Sequence, residues 1–336
     1  MTSIAELPQE ILAERLFFRL TRTLHPVFNA PMESSAPHSS ALRRRAVFWM
    51  VMTTVLWGGS FVFNKIGFRE IPPVTFLFLR FTLAAFIMGL VSIRRLSGLN
   101  REIVRKGAIV GLALTAANLS FVLGVSGTSV SRAGFLNNLF VLIIPLLCFL
   151  VWRERVSRAT SVGICRAVAG LWSLARGGAA GFTHGDLLST ICAVFIALHI
   201  IAVSKLLKDE DVYLVTLVQL IVVAVMGALL AFLFSPPLAP FGVVSAGALL
   251  YCALFPTVVC FTLQNIWQRY TTPAQAGLIY TLDPLWSMLG GFLILGERLS
   301  GGEWAGCALI FAGVAAPLVV KRIAERGRYF LEPGRK

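Results

Sequence analysis

Charge is scarce in this chain, and its absence is concentrated. Only 14% of the 336 residues are Asp, Glu, Lys or Arg, where a soluble domain carries about 25%. None falls between Gly107 and Val130, or between Tyr213 and Gln264. Roughly 20 apolar residues cross a hydrocarbon layer ~30 Å thick, so the second run alone accommodates two passes. With 57% hydrophobic residues and a mean hydropathy of +0.80, too little polar surface remains to cover a water-soluble core. A soluble fold is excluded.

Other absences narrow the chemistry. The six cysteines (Cys148, Cys165, Cys192, Cys252, Cys260 and Cys307) sit in apolar stretches without CxxC or Cys/His spacing, so neither disulfides nor a metal site is supported. Of the four histidines only His199 lies well inside an apolar run, where a proton carrier or a packing residue is expected, packing being preferred. Carboxylate clusters and Ser/His arrangements are missing. No catalytic residue, metal or cofactor is therefore expected, and a membrane-embedded enzyme is the weaker class. Rings of like charge and repeated filter motifs are missing too, which counts against a channel-like facilitator. Residues 1–45 lack the compact apolar core of a secretory signal. There, Ile4, Leu7, Ile11, Leu12, Leu16 and Phe17 share one helical face loosely, beside Arg15, Arg19 and Arg22, which suits an interfacial helix. A disordered tail, or a start placed too early with Met32 as the true one, fits the Pro/Ser/Ala-rich stretch Ala30 to Ala41 better.

What is present is a succession of apolar windows. Their breakers predict an all-α integral membrane protein of ten transmembrane helices, at 46–66, 73–93, 104–125, 131–152, 159–175, 185–205, 212–234, 242–267, 274–295 and 303–320. The net charge of +14 resides in alternate connecting segments: Arg43, Arg44, Arg45; Arg94, Arg95, Arg101, Arg105, Lys106; Arg153, Arg155, Arg158; Lys205, Lys208; Arg269; Lys321, Arg322, Arg326, Arg328. The intervening segments hold Lys65, Arg69, Arg132, Arg176 and Arg298. This bias predicts a multi-pass protein of the plasma or inner membrane with both termini cytoplasmic. It reads the basic residues as loop anchors, so the bilayer and a small-molecule substrate are the expected partners and nucleic acid is not.

Shifting the chain by 143 residues lays 133–170 over 276–313 without a gap. Among the identities are Ala133/Ala276, Gly134/Gly277, Leu139/Leu282, Glu154/Glu297, Arg155/Arg298, Ser157/Ser300, Gly163/Gly306 and Gly170/Gly313. The fourth helix thus lies over the ninth and the fifth over the tenth. Five is odd, so the second copy enters the membrane inverted. Segments 46–176 and 177–320 are the expected repeats, followed by a basic cytoplasmic tail at 321–336. Inverted repeats place a site near the midplane, between halves that rock.

Several stretches carry a family resemblance. Leu56-Trp57-Gly58-Gly59-Ser60-Phe61, Phe78-Leu79-Arg80-Phe81 and Arg269-Tyr-Thr-Thr-Pro-Ala-Gln-Ala-Gly277 are three of them. With Leu282-Asp283-Pro284, Leu295-Gly-Glu-Arg-Leu-Ser300 and Gly306 to Gly313, they resemble the EamA type of the drug/metabolite transporter superfamily over about 46–320. The resemblance implies ten helices in two inverted five-helix repeats. It also implies export of amino acids, their derivatives or other small metabolites by a monomer or homodimer.

The candidate cavity residues are polar or aromatic groups at membrane depth. Asp283 lies about nine residues into its helix, roughly 13 Å deep, where a carboxylate costs about 2.5–3.5 kcal/mol and needs a cavity or partner. Pro284 frees the carbonyl of Tyr280 and favours a helix break; the first copy has Phe140-Val141 there, which makes any such site asymmetric. Asp283 either serves transport or fixes packing. Arg80 snorkels outward, holds an anionic substrate group, or pairs with Asp283. Gln219 occupies the equivalent place in the seventh helix. Asn64, Asn118, Asn137, Asn138, Gln264, Asn265 and Tyr280 each need a partner in lipid, as cavity groups or interhelical glue. Asn137 stands out because the repeat matches it to Tyr280. Trp57 and Trp286 are aromatic candidates to stack on substrate. Glu154 and Glu297, beside Arg155 and Arg298, read as helix-end groups. The paired glycines read as packing stripes.

Overall fold

The computed structural model describes residues 40–128, 130–175, 183–295, 301–302 and 304–316. The expectations for residues 1–39, for Glu297 and Arg298 and for the basic C-terminal tail lie outside the described residues. Among the described residues the only regular structure is helical. The helices are α1 (Ser40–Gly67), α2 (Pro73–Ser92), α3 (Arg101–Gly127), α4 (Val130–Asn137 and Phe140–Trp152), α5 (Arg158–Ala175) and α6 (His184–Leu206). They continue as α7 (Val212–Phe234), α8 (Val243–Ala253 through Cys260–Trp267), α9 (Pro273–Tyr280 and Asp283–Leu295) and α10 (Trp304–Ala316). By length and composition, seven helices among the described residues can cross a membrane, and α10 is a shorter apolar one.

Local chemistry sets the helix starts. Asn100 Oδ1 accepts from Ile103 N, and Asp211 Oδ1 from Tyr213 N and Leu214 N. Thr183 and Asp186 form a reciprocal capping box at the start of α6. Pro73 and Pro273 open their helices, where a missing N–H costs nothing. Outward-facing side chains remain apolar: Val243 is 89% exposed and Phe232 86%. That is a lipid-facing surface rather than a wet one.

Three of the expected helices are interrupted, and a break is expected only in α9, beside Pro284. α9 breaks at Thr281 and Leu282, with Leu282 N bonding back to Ile279 O at 3.1 Å. α4 breaks at the repeat-equivalent Asn138 and Leu139, with Leu139 N bonding to Leu136 O at 3.2 Å. The expected asymmetry therefore holds for the carboxylate and not for the break. In α4 Asn138 Nδ2 also donates to Gly134 O at 2.8 Å, and in α9 the Thr281 hydroxyl donates to Leu278 O. In α8, Leu254–Val259 widens into a π-turn around Pro256. Pro256 supplies no N–H to Cys252 O, and the Thr257 hydroxyl takes that carbonyl at 2.7 Å.

Glycine permits the closest helix contact. A Cβ on Gly170 of α5 would stand 2.6 Å from Gly306 O, and one on Gly313 of α10 2.6 Å from Gly163 O. The two helices therefore run antiparallel, each glycine pair resting on the other. At one end of the bundle, polar contacts cross from α1–α4 to the later helices: Arg95 to Asp211, Lys106 to Glu210, Lys205 to Glu154, and Arg43 to Gln275.

Candidate functional site

A cavity of about 130 Å³ opens between α1–α4 on one side and α6, α8 and α9 on the other. That is room for on the order of ten waters. The interrupted helices α4 and α9 both reach it, α4 through Asn137 and Asn138, α9 through Tyr280 and Asp283. The breaks position polar side chains where unbroken helices would present only packing faces.

Eight of the sequence candidates line this one space: Trp57, Arg80, Asn118, Asn137, Asn138, Gln264, Tyr280 and Asp283. Trp57 is held at both ends of its indole. Its Nε1 donates to Pro256 O at 2.9 Å, and its ring meets Tyr280 edge-on at 5.2 Å and Phe261 at 5.7 Å. Asn118 Nδ2 donates to Leu114 O in its own helix. Asn137, only 3% exposed, has no partner for either amide atom among the described residues. Such a group is costly unless something entering the cavity satisfies it.

Arg80 departs from two of its expected roles. It is 4% exposed, so it does not snorkel, and it makes no ion pair with Asp283. Its Nε donates to Thr257 Oγ1 at 2.6 Å, and its guanidinium carbon lies 5.3 Å from the Phe81 ring centre.

Four candidates lie outside the lining; one, Asn265, is buried and donates through Nδ2 to Thr216 Oγ1 at 2.9 Å. Asn64 is buried and accepts from Cys252 Sγ at 3.9 Å. Gln219 is fully buried where α7 meets the backbone of α3 at Gly111, its amide without a partner among the described residues. Trp286 Nε1 donates to Thr54 Oγ1 at 2.9 Å, tying α9 to α1 away from the cavity. Steric access decides these placements, and hydropathy does not report it.

Other residues enter unannounced. His199, expected to pack, lines the cavity with its ring edge-on to Phe261 at 6.0 Å. Gln268, fully buried, is a hub: its Nε2 donates to Ile200 O and Ser204 Oγ, both at 2.7 Å. Its Oε1 accepts from Gln264 Nε2 at 2.9 Å and Tyr280 Oη at 3.2 Å. The four-residue spacing of Gln264 and Gln268 on one helix face was the available signal.

The EamA-like transporter family matches the chain twice, over residues 44–176 and 183–318. An uncharacterized transporter of Archaeoglobus fulgidus is 26% identical over 265 residues, covering 79% of this chain and 83% of its own length. A probable amino-acid metabolite efflux pump of Salmonella typhimurium is 26% identical over 312 residues, with 85% of this chain and 99% of the relative covered. A solved crystal structure shares the fold at a TM-score of 0.69 and 22% identity, spanning 84% of this chain and 99% of its own.

Proposed function

The chain belongs to the EamA-like transporter family and is a membrane transporter rather than an enzyme; we propose that it carries a small metabolite outward across the cytoplasmic membrane by alternating access. The cargo is an amino acid, a derivative or a similar solute. One observation carries this reading: a cavity with polar and aromatic lining sits between two sets of helices, and a broken helix from each set ends in it. Interrupted helices meeting at a repeat interface are how transporters expose backbone and polar side chains to a solute within the bilayer.

The mechanism uses ten crossings in two inverted five-helix halves, 46–176 and 177–320, rocking about the cavity. The reciprocal glycine contacts of α5 with α10 and the matched breaks of α4 and α9 support it. Loop charge supports an orientation with both termini in the cytoplasm. Trp57, Asn118, Asn137, Gln264, Tyr280 and Asp283 contact the cargo; Asn64 and Trp286 hold the helices that carry them. The Salmonella relative, a probable amino-acid metabolite efflux pump, makes amino acids and their derivatives the first solutes to try.

Flux in proteoliposomes, with a pH difference imposed, tests this. A solute in that class is expected to move, and Asp283→Asn to change its rate and pH dependence. Unaltered flux and pH dependence in Asp283→Asn would remove Asp283 from coupling. No movement of any solute would overturn the reading.

A further inference from the structure

We infer that the cargo bears a carboxylate and that the two Nη groups of Arg80 hold it, an assignment that rests on the transport reading and makes it more specific. Arg80 is a cation within the helical bundle, 4% exposed and open to the cavity. Its orientation is fixed through Nε alone. The Thr257 hydroxyl spends its single proton on Cys252 O, at 2.7 Å, so it can only accept from Arg80 Nε, at 2.6 Å. The carbonyl that receives this proton is one that Pro256 leaves without a helical donor. The π-turn of α8 thus aims the guanidinium from across the bundle.

One N–H of five is used in this way, and four remain on Nη1 and Nη2. Among the described residues neither Nη donates to a protein atom, and no carboxylate lies within ion-pair distance of Arg80. The ion pairs among the described residues all lie at helix ends. A buried cation without a counter-ion is costly, and the planar fork it presents matches a carboxylate in bidentate geometry. The second feature is Asn137, 3% exposed, lining the same cavity with both amide atoms unpartnered. It offers a neutral donor and acceptor to the rest of the polar head. Rings of Trp57, Phe61, Phe121 and Phe261 face the remaining space and suit an apolar body. A phosphate monoester brings about two negative charges to the one guanidinium, whereas a carboxylate brings one, so a monoanion is the better match.

Counterflow into proteoliposomes separates these chemistries. The probes are the L-amino acids, their carboxamides, the corresponding decarboxylated amines, and glycerol 3-phosphate as a phosphate monoester. Wild-type protein is expected to carry free acids about tenfold or more faster than their amides, the scale of a charged hydrogen bond lost. Arg80→Gln should bring that ratio close to one, and Arg80→Lys should keep part of it. Thr257→Val leaves the cation but not its alignment, and should lower the ratio severalfold. Each ratio is taken within one preparation, so partial loss of folded protein does not change it. If Arg80→Gln carries nothing, the Thr257→Val ratio decides. Amides or amines carried as fast as acids, a preferred phosphate monoester, or an unchanged ratio in Arg80→Gln or Thr257→Val would overturn the carboxylate assignment while leaving transport intact. No flux of any probe would overturn the transport reading itself.

Discussion

The Nζ of Lys205 lies 3.1 Å from Oε1 of Glu154 and 4.3 Å from the centre of the Trp152 ring. The Lys205 side chain is 1% exposed and that of Glu154 22%. The contact therefore ties the end of α6 to the segment after α4 in a largely dry setting. By sequence, Glu154 reads as a helix-end group beside Arg155; the fold brings it a cation 51 positions away. Removing one partner strands a buried charge, which costs about 3–5 kcal/mol. Glu154→Gln is expected to lower the unfolding temperature in detergent by several degrees. The double variant Glu154→Leu/Lys205→Met should recover most of the loss, because neither charge is left. Equal melting of Glu154→Gln and wild type would show the pair to be energetically idle.

The α5–α10 crossing sets a second expectation. A Cβ on Gly313 would press on Gly163 O at 2.6 Å and Ala167 N at 3.0 Å, both backbone atoms that yield only if a helix moves. Gly313→Ala should destabilise by about 1–3 kcal/mol, the usual range for overpacking. Gly247→Ala is the control, since nothing lies within 4 Å of its added methyl. There the change should be neutral or stabilising by about 0.5–1 kcal/mol, from helix propensity alone. Thermal unfolding of the two variants side by side checks the contrast.

Glu70, between α1 and α2, caps the start of α8 from a distance. Hydrogen bonds from the Ser245 hydroxyl and from Gly242 N, the latter at 3.0 Å, hold its carboxyl below the usual carboxylate range. A depressed value means the contribution is present above the unfolded-state pKa and disappears as pH falls through the folded one. The difference in melting temperature between wild type and Glu70→Gln should therefore be largest near neutrality and shrink on acidification. A difference that grew toward low pH would contradict the cap.

Gln268 supports the cavity wall without lining it. Gln268→Leu would leave Tyr280 Oη, Gln264 Nε2 and Ser204 Oγ short of a partner in a buried place. Such orphaned groups cost about 1–3 kcal/mol each. The variant is expected to melt markedly earlier and to raise KM for transport as Tyr280 loosens against Trp57. Tyr280→Phe removes one bond only and should cost about 1 kcal/mol. Comparable effects from both substitutions would argue against a hub.

Much of the helix pattern was legible in the sequence because its causes are local. Asn100, Asp211 and the Thr183–Asp186 box bond within three residues, and Pro73 and Pro273 act at their own positions. Apolar run length and loop charge are equally local, which is why windows at 73–93 and 212–234 nearly coincide with α2 and α7. The repeat, too, is a property of the string, and it matched Asn137 to Tyr280, two residues that line one cavity.

Only tertiary structure decided the rest. The sequence marks a break near Asp283-Pro284 and is silent at Asn138, where the helix opens without a proline. It leaves Arg80 three fates, and it does not show the Thr257 hydroxyl, 177 positions away, that accepts from Arg80 Nε. It ranks Trp286 with Trp57, although one ring faces the cavity and the other is turned to Thr54. It spaces Gln268 four residues from Gln264 but does not show that its bonds reach Ile200 and Ser204. Hydropathy and capping act over a turn or two of chain, whereas the partner of a buried polar group is set by which helices pack together. The chain by itself determined that helices form and that they seek lipid; packing determined which of their polar groups face a common space.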